Sequence, residues 1–237
     1  MLRIRKLLLC LFATAASACA AIAQDPIAAY PKNYSLALDN DVVSVIRVHY
    51  EPRERIGVHD HSKFPTVYVY LSPSGPVRFE HDEKPAFRLT RPPLSTGAFR
   101  VSPGRMERHA VENLGDVSSD FLRVELKQIP LGSSLPPFRG RAPSSLSQSS
   151  QAVEYSGPQF DIQRVLCQPA RQCQLDNSMS PSLLIAFSPL KLNENNNVEL
   201  LKNGDIKWLQ GSHPTAVAAV SNLPAHLLRI TFQSQRK

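Results

Sequence analysis

A chain of 237 residues, 42% of them apolar, can bury one large or two small hydrophobic cores. Its 27 basic and 20 acidic residues give a net charge of +7 spread along the sequence, and nothing beyond that charge supports nucleic-acid binding. After the first two dozen residues no stretch of about 18 uninterrupted apolar residues occurs, which excludes a membrane-spanning helix there.

The chain opens MLRIRKLLLCLFATAASACAAIAQD, with Arg3, Arg5 and Lys6 ahead of a Leu- and Ala-rich run and a small-x-small site at Ala21-Ile22-Ala23. This pattern predicts a secretory signal peptide over 1–23, cut after Ala23, and a periplasmic or secreted mature protein. A lipoprotein signal ending at Cys19 is the competing reading, although Ala16-Ser17-Ala18 lacks the leucine such a signal expects. Removal of 1–23 takes away three basic and no acidic residues, leaving 24 against 20 and a net charge of +4.

Helical patterning is almost absent from the remainder. Twenty prolines punctuate short alternating or β-branched runs such as VVSVIRVHY, TVYVYL, VRFEH, FLRVELKQI, SLLIAF and HLLRITF. Short strands at this spacing predict an all-β fold, a sandwich or barrel. Residues 131–151, LGSSLPPFRGRAPSSLSQSSQ, read as an exposed linker between a first unit over 24–130 and a second over 152–237. In the second unit, Cys167 and Cys173 form an even pair in an exported chain, which favours a disulfide closing a short loop over two reduced thiols.

The two units echo each other in order. YSLALDND at Tyr34 resembles YSGPQFDI at Tyr155, and RVHYEP (47–52) resembles RVLCQP (164–169). PTVYVYLSP (65–73) resembles PSLLIAFSP (181–189), AVENL (110–114) resembles AVSNL (219–223), and FLRVEL (121–126) resembles LLRITF (227–232). Five matches in one order predict a tandem duplication whose second copy is shortened in the middle.

Two stretches carry chemistry. In GVHDHSKFPTVYVYLSP (57–73), His59 and His61 are two apart, a spacing that puts both imidazoles on one face of a strand. In GAFRVSPGRMERHAVENLG (97–115), Pro103-Gly104 makes a turn and His109 opens another strand. Three neutral imidazoles brought together by two strands suit Fe, Zn, Cu, Ni or Mn rather than Mg or Ca. The alternative is a set of inward histidines hydrogen-bonded to one another.

These two stretches resemble the paired motifs of the cupins, G-x5-H-x-H-x3–4-E-x6-G and G-x5-P-x-G-x2-H-x3-N. His59 and His61 match the first; Gly97, Pro103, His109 and Asn113 match the second, with one extra residue between Pro103 and His109. The departures are Thr66 at the glutamate position and Pro73 where the first motif ends in glycine. The resemblance covers residues 40–127, and the internal repeat extends it to two tandem jelly-roll barrels. It implies a metal held by His59, His61 and His109; some cupin dioxygenases are similar in using three histidines alone. It also implies an interior lined by Thr66, Tyr68, Tyr70 and Asn113, although Tyr68 and Tyr70 read equally well as ordinary sheet aromatics. Homodimers are an expectation of the family.

Aligned by the repeat, His59 corresponds to Leu175, His61 to Asn177 and His109 to Ala218, so the second barrel is expected to be metal-free. Arg105, Glu107 and Arg108, on the loop entering His109, read as solvated turn charges or as a contact for an anionic substrate. His49 and His81 have no partners in the motifs, and Glu80 or His81 reaches the metal only if neighbouring strands converge. No nucleophile elbow, phosphate loop or Cys-x-x-Cys pair occurs. Two functions remain open: metal-dependent, oxygenase-like or other chemistry on a small organic molecule, or non-catalytic binding of a small ligand such as a sugar or organic acid.

Overall fold

The computed structural model describes residues 25–130, 135–175, 180–211 and 213–233. The expected signal peptide lies outside these residues; among them, no helix is long and apolar enough to cross a membrane. After a single helical turn, α1 (Pro26–Ala29), the chain is all β. The first half forms β1 (Tyr34–Asp39), β2 (Val43–Tyr50), β3 (Arg55–His61), β4 (Thr66–Tyr70), β5 (Val77–His81), β6 (Phe87–Arg91), β7 (Phe99–Ser102), β8 (Glu107–Asn113), β9 (Ser119–Leu126) and β10 (Phe138–Gly140). The second forms β11 (Ser150–Ser156), β12 (Phe160–Cys167), β13 (Gln172–Leu175), β14 (Ser182–Ala186), β15 (Leu190–Glu194), β16 (Asn197–Leu201), β17 (Ile206–Leu209), β18 (Thr215–Ala219) and β19 (Ala225–Phe232).

Each half is a jelly roll of two antiparallel sheets. The first pairs a six-stranded sheet, β1-β2-β9-β4-β7-β10, with a four-stranded one, β3-β8-β5-β6; the second pairs β11-β12-β19-β14-β17 with β13-β18-β15-β16. The period-two alternation of the larger sheets explains the layering. In β9, Phe121 faces the interior of the first jelly roll, whereas Leu122, Val124 and Leu126 face the other half. Val45, Val67 and Val124 of the first half thus meet Ile162, Leu183 and Ile230 of the second in one shared core. Each of these six side chains is fully buried, worth about 1.5–3 kcal/mol in transfer free energy.

The ladders give the correspondence between copies residue by residue. Thr66 pairs with Glu125 as Ser182 pairs with Thr231, and Arg47 and Arg164 occupy equal places in β2 and β12. Each of these arginines reaches across to the other half: Arg47 Nη2 donates to Gly204 O at 2.7 Å and Arg164 Nη2 to Gly97 O at 2.8 Å. The two glycines are equivalent as well, with φ of +83° and +84°, a left-handed turn that other residues adopt only under strain. The duplicated halves therefore clasp reciprocally, much as two subunits do about a two-fold axis.

Two of the five sequence echoes are out of register. Tyr34 and Gln151 occupy equal places, opposite Val48 and Val165; Tyr155 falls at the place of Leu38, after a bulge present in both copies. His109 corresponds to Thr215 and not to Ala218, because AVEN lies on Ala216–Ala219 and AVSNL runs beyond the strand into a turn. The dipeptide Ala-Val occurs twice within TAVAAV, and only the ladder tells which copy is homologous. The Leu175 assignment agrees with the register, since Leu175 pairs with Thr215 as His59 pairs with His109; Asn177 lies outside the described residues.

The stretch expected to be an exposed linker is in part structural. Leu135 is buried, Phe138–Gly140 pairs with β7 at the sheet edge, and β11 begins at Ser150. Gly140 is required there, because a Cβ would lie 2.0 Å from the Phe99 ring. Cys167 and Cys173 are joined by a disulfide of 2.05 Å, between residues whose Cα atoms are 5.9 Å apart.

Candidate metal centre

His59 and His61 project from β3 to one side, and β8 places His109 directly opposite His59. Each offers one ring nitrogen to a group whose members lie within 4.8 Å of one another. The ring centroids are 4.8 Å apart for His59 and His61, 5.0 Å for His59 and His109, and 5.1 Å for His61 and His109.

The tautomer of His59 follows from its partners. Its Nδ1 lies 2.9 Å from Gly57 O, which can only accept, so Nδ1 carries the proton and Nε2 presents a lone pair inward. That Nε2 is 2.9 Å from the hydroxyl of Tyr34, itself 2.9 Å from the hydroxyl of Tyr50, and 3.1 Å from His61 Nε2. The residues fit a metal. Both ring nitrogens of His109 and Nδ1 of His61 are buried without a hydrogen-bond partner, a condition that costs about 1–3 kcal/mol per group unless something fills it. Burial lowers the pKa of all three histidines, that of His109 to about 2, so the lone pairs are free at neutral pH.

No acid stands at the first motif's glutamate position, but two other carboxylates lie in this interior. Thr66 is buried, but its Oγ1 donates to Phe64 O at 2.9 Å and is not among the clustered donors. Instead, Glu107 pairs across the ladder with His61, and Glu125 lies directly opposite Thr66. Both carboxylates are bound by Arg123, through Nη1 to Glu107 at 2.9 Å and Nε to Glu125 at 2.8 Å, all three side chains being at most 7% exposed. Burial works against the charge of Glu107, yet Arg123 outweighs it and holds the carboxyl well below its usual range. Arg105 also lies 3.5 Å from Glu107, so two carboxylates are matched here by two guanidinium groups. Thr66→Glu would set a third buried carboxylate opposite Glu125. The metal-free variant is expected to lose about 3 kcal/mol in urea unfolding, and divalent metal to restore part of it.

The structure places the other expected residues as follows. Tyr68 and Tyr70 both face the interior, and Tyr68 OH lies within the charged network, 2.7 Å from Arg123 Nη1 and 3.1 Å from Glu107. Asn113 does not line the site. Its Nδ2 donates to Glu51 O and Val117 O and its Oδ1 accepts from Gly115 N, so it ties adjoining turns together. Glu107 is buried at the start of β8, contrary to the solvated-turn reading, whereas Arg108 does pair near the surface with Asp60 and Asp82. His81 pairs opposite His109 with its ring 5.0 Å away, but turns Nδ1 to Glu83 and stands outside the donor group. Glu80 is engaged by Arg55, Arg78 and Arg88. His49 pairs with Asp120 and Glu51, away from the site.

Sequence reasoning missed Tyr34, Tyr50 and Arg123. The first two read as apolar strand residues. Arg123, by contrast, alternates in period with inward Phe121, a signal of a buried charge awaiting partners. The cavity beside the histidines, lined among others by Tyr34, Tyr68, Phe79 and Arg123, leaves ≈ 20 Å³ for the centre of a water molecule. That admits an ion or a water there, while another cavity of ≈ 350 Å³ reaches His61 from the side of Asp60 and Glu125.

The sequence matches no protein-family model and no curated protein. Solved structures do match. AerE from Microcystis aeruginosa superposes with a TM-score of 0.60 at 12% identity over 85% of this chain and 98% of that one. The Cupin 2 conserved barrel domain protein from Leptotrichia buccalis superposes with a TM-score of 0.52 at 11% identity over 84% and 88%. The fold is the cupin fold. A mutant of the salicylate 1,2-dioxygenase from Pseudoaminobacter salicylatoxidans is also similar, at TM-score 0.53 and 12% identity over 81% of this chain and 72% of its own. In the other jelly roll, Leu175 and Thr215 stand at the places of His59 and His109, and the expected counterpart of His61 lies outside the described residues. The second jelly roll contributes a wall to the shared core and a clasp for the Gly97 turn.

Proposed function

We propose that this chain is an exported metalloprotein that holds a divalent transition metal on His59, His61 and His109 and acts on a small organic molecule. The observation that carries the reading is a cluster of three neutral imidazoles, two buried and one half-buried, with three of its ring nitrogens left without partners among the described residues. Its export rests on the sequence of residues 1–23. The metal would supply Lewis-acid or redox chemistry toward dioxygen, water or a bound substrate. The dioxygenase among the similar structures favours an oxygenase-like reaction.

The chain's own residues set the terms of that chemistry. Gly57 O fixes the His59 ring so that Nε2 faces inward, and the Tyr34–Tyr50 hydroxyl pair gives that nitrogen a proton donor when no metal is bound. Arg123 holds Tyr68 and Glu107 in place beside His61 and His109. His59 and His109 are buried, whereas His61 is half-buried and also lines a surface cavity with Asp60 and Glu125.

A non-catalytic binding protein is the second reading. It is favoured by the lack of a free carboxylate base: among the described residues lining the histidine cavity, the one carboxylate, Glu107, is held by Arg123. Elemental analysis of the purified mature protein, followed by a turnover screen of the metal-loaded form, separates the two. The proposal expects close to one equivalent of Fe, Zn, Cu, Ni or Mn and a product; ligand-induced thermal shifts without product would favour binding. A protein that takes up no metal overturns both the centre and its chemistry.

A further inference from the structure

A second, larger cavity lies beside the histidine interior, where the edges of the two sheets of the first jelly roll part. One wall is β6, the edge of the four-stranded sheet; the other is β7 with β10, the edge of the six-stranded sheet. The loop Pro92–Ser95 forms the floor. The cleft holds ≈ 630 Å³, within the range of small-molecule sites, and Tyr70, Arg91, Pro92 and Leu94 line both it and the histidine cavity.

Its charge is one-sided. Arg91, Arg100, Arg139 and Arg141 line the cleft, and no aspartate or glutamate does. Among the described residues, none of these four guanidinium groups forms an ion pair. Arg100 and Arg139 are direct cross-strand partners in the β7–β10 ladder, an arrangement of like charges that costs stability unless a counter-charge sits between or above them. Nε and Nη2 of Arg100 are buried without a hydrogen-bond partner among the described residues. Its guanidinium lies 4.1 Å over the Tyr68 ring, and that of Arg91 lies 4.4 Å over the Phe79 ring. Stacked in this way, the planar groups keep their N–H edges free for a bidentate anion. Burial first and then Arg91 lower the pKa of Arg100, outweighing the opposite pull of Tyr68, Tyr70 and Glu107. Leu89, Pro92, Pro93 and Leu94 offer apolar surface beside these donors.

We infer that this cleft binds an organic anion, its carboxylate or phosphate head held by Arg91, Arg100 and Arg139 and its apolar body lying along Leu89 and Pro92–Leu94. As a substrate class for the histidine centre the inference rests on the proposed function. Anion binding itself needs no metal, so the two can fail separately.

The test is isothermal titration of the chelator-stripped full-length protein with octanoate, octyl phosphate, octanol and inorganic phosphate. Octanoate or octyl phosphate is expected to bind saturably, the preferred one identifying the head group, and binding is expected to weaken at 0.5 M salt. Arg100→Gln and Arg139→Gln should each weaken it at least tenfold. Arg139 is exposed on an edge strand, and losing its repulsion toward Arg100 should leave the Tm of R139Q equal to the wild type or higher, which guards against a folding defect. Octanol binding as tightly as octanoate, unchanged binding in both variants, or inorganic phosphate binding as tightly as octyl phosphate would each overturn the assignment.

Discussion

His109→Leu is expected to abolish metal uptake while leaving the metal-free protein as stable as the wild type or more so. Among the described residues, neither ring nitrogen of His109 has a hydrogen-bond partner, although the residue is 3% exposed. Leucine removes two unsatisfied polar atoms, each costing about 1–3 kcal/mol when buried, and fills similar space against Phe79. Metal affinity behaves oppositely. Loss of partners that merely orient ligands costs about 10–100-fold, so loss of one of three ligands should cost at least about 100-fold. Titration with Zn(II) or Co(II), together with urea unfolding of both proteins after chelation, reads the two effects separately. If the histidines were a structural hydrogen-bonded set, H109L would lower stability and neither protein would bind metal. The same change at His59 is less clean, because that ring is already bonded to Gly57 O and Tyr34.

The parts of this site that depend on spacing along one strand could be read from the sequence, and the parts that depend on pairing between strands could not. The two-residue spacing of His59 and His61 places both on one face whatever the fold, and the turn at Pro103-Gly104 makes the return of His109 plausible. Period two likewise turned Tyr68 and Tyr70 inward along with Thr66. Register was another matter. Glu107 and Arg123 are 16 positions apart, and nothing in a linear pattern says that β8 and β9 bring them to 2.9 Å. For the same reason the absent motif acid looked like a plain loss, whereas Glu125 stands opposite Thr66 and Glu107 opposite His61. The repeat was visible through Arg47 and Arg164, yet the clasp each makes on the other copy's glycine needs the halves packed together. The linker was misread because its composition is that of a loop. Leu135 and Phe138–Gly140 are bound by Phe99 and the edge of β7, which composition does not record.

Arg123→Met is expected to be the most damaging single change in the first jelly roll. Methionine matches much of the volume, so the effect isolates charge. Without the guanidinium, Glu107 and Glu125 remain in the interior at 6% exposure each, with Glu107 keeping Tyr68 and the half-exposed Arg105 as its only partners among the described residues. Breaking a buried ion pair by removing one member costs about 3–5 kcal/mol, which for a domain of this size lowers Tm by about 10 °C. High salt should not alter the difference, because buried pairs are screened far less than exposed ones. Glu107→Gln added to the arginine variant removes one of the stranded charges and should recover part of the loss. Thermal and urea unfolding of the four proteins of this double-mutant cycle measures that coupling directly. A loss under about 1 kcal/mol in the single variant, or no coupling in the cycle, would show that Arg123 is not the counter-charge of this interior. A second readout has the opposite sign. Arg123 opposes positive charge on His59, His61 and His109 alike, so a cation held there feels the same repulsion. The arginine variant should therefore bind divalent metal more tightly than the wild type while being the less stable protein without it. That trade of stability against metal affinity is what a metal centre built beside a buried arginine requires, and a packing role for Arg123 would not produce it.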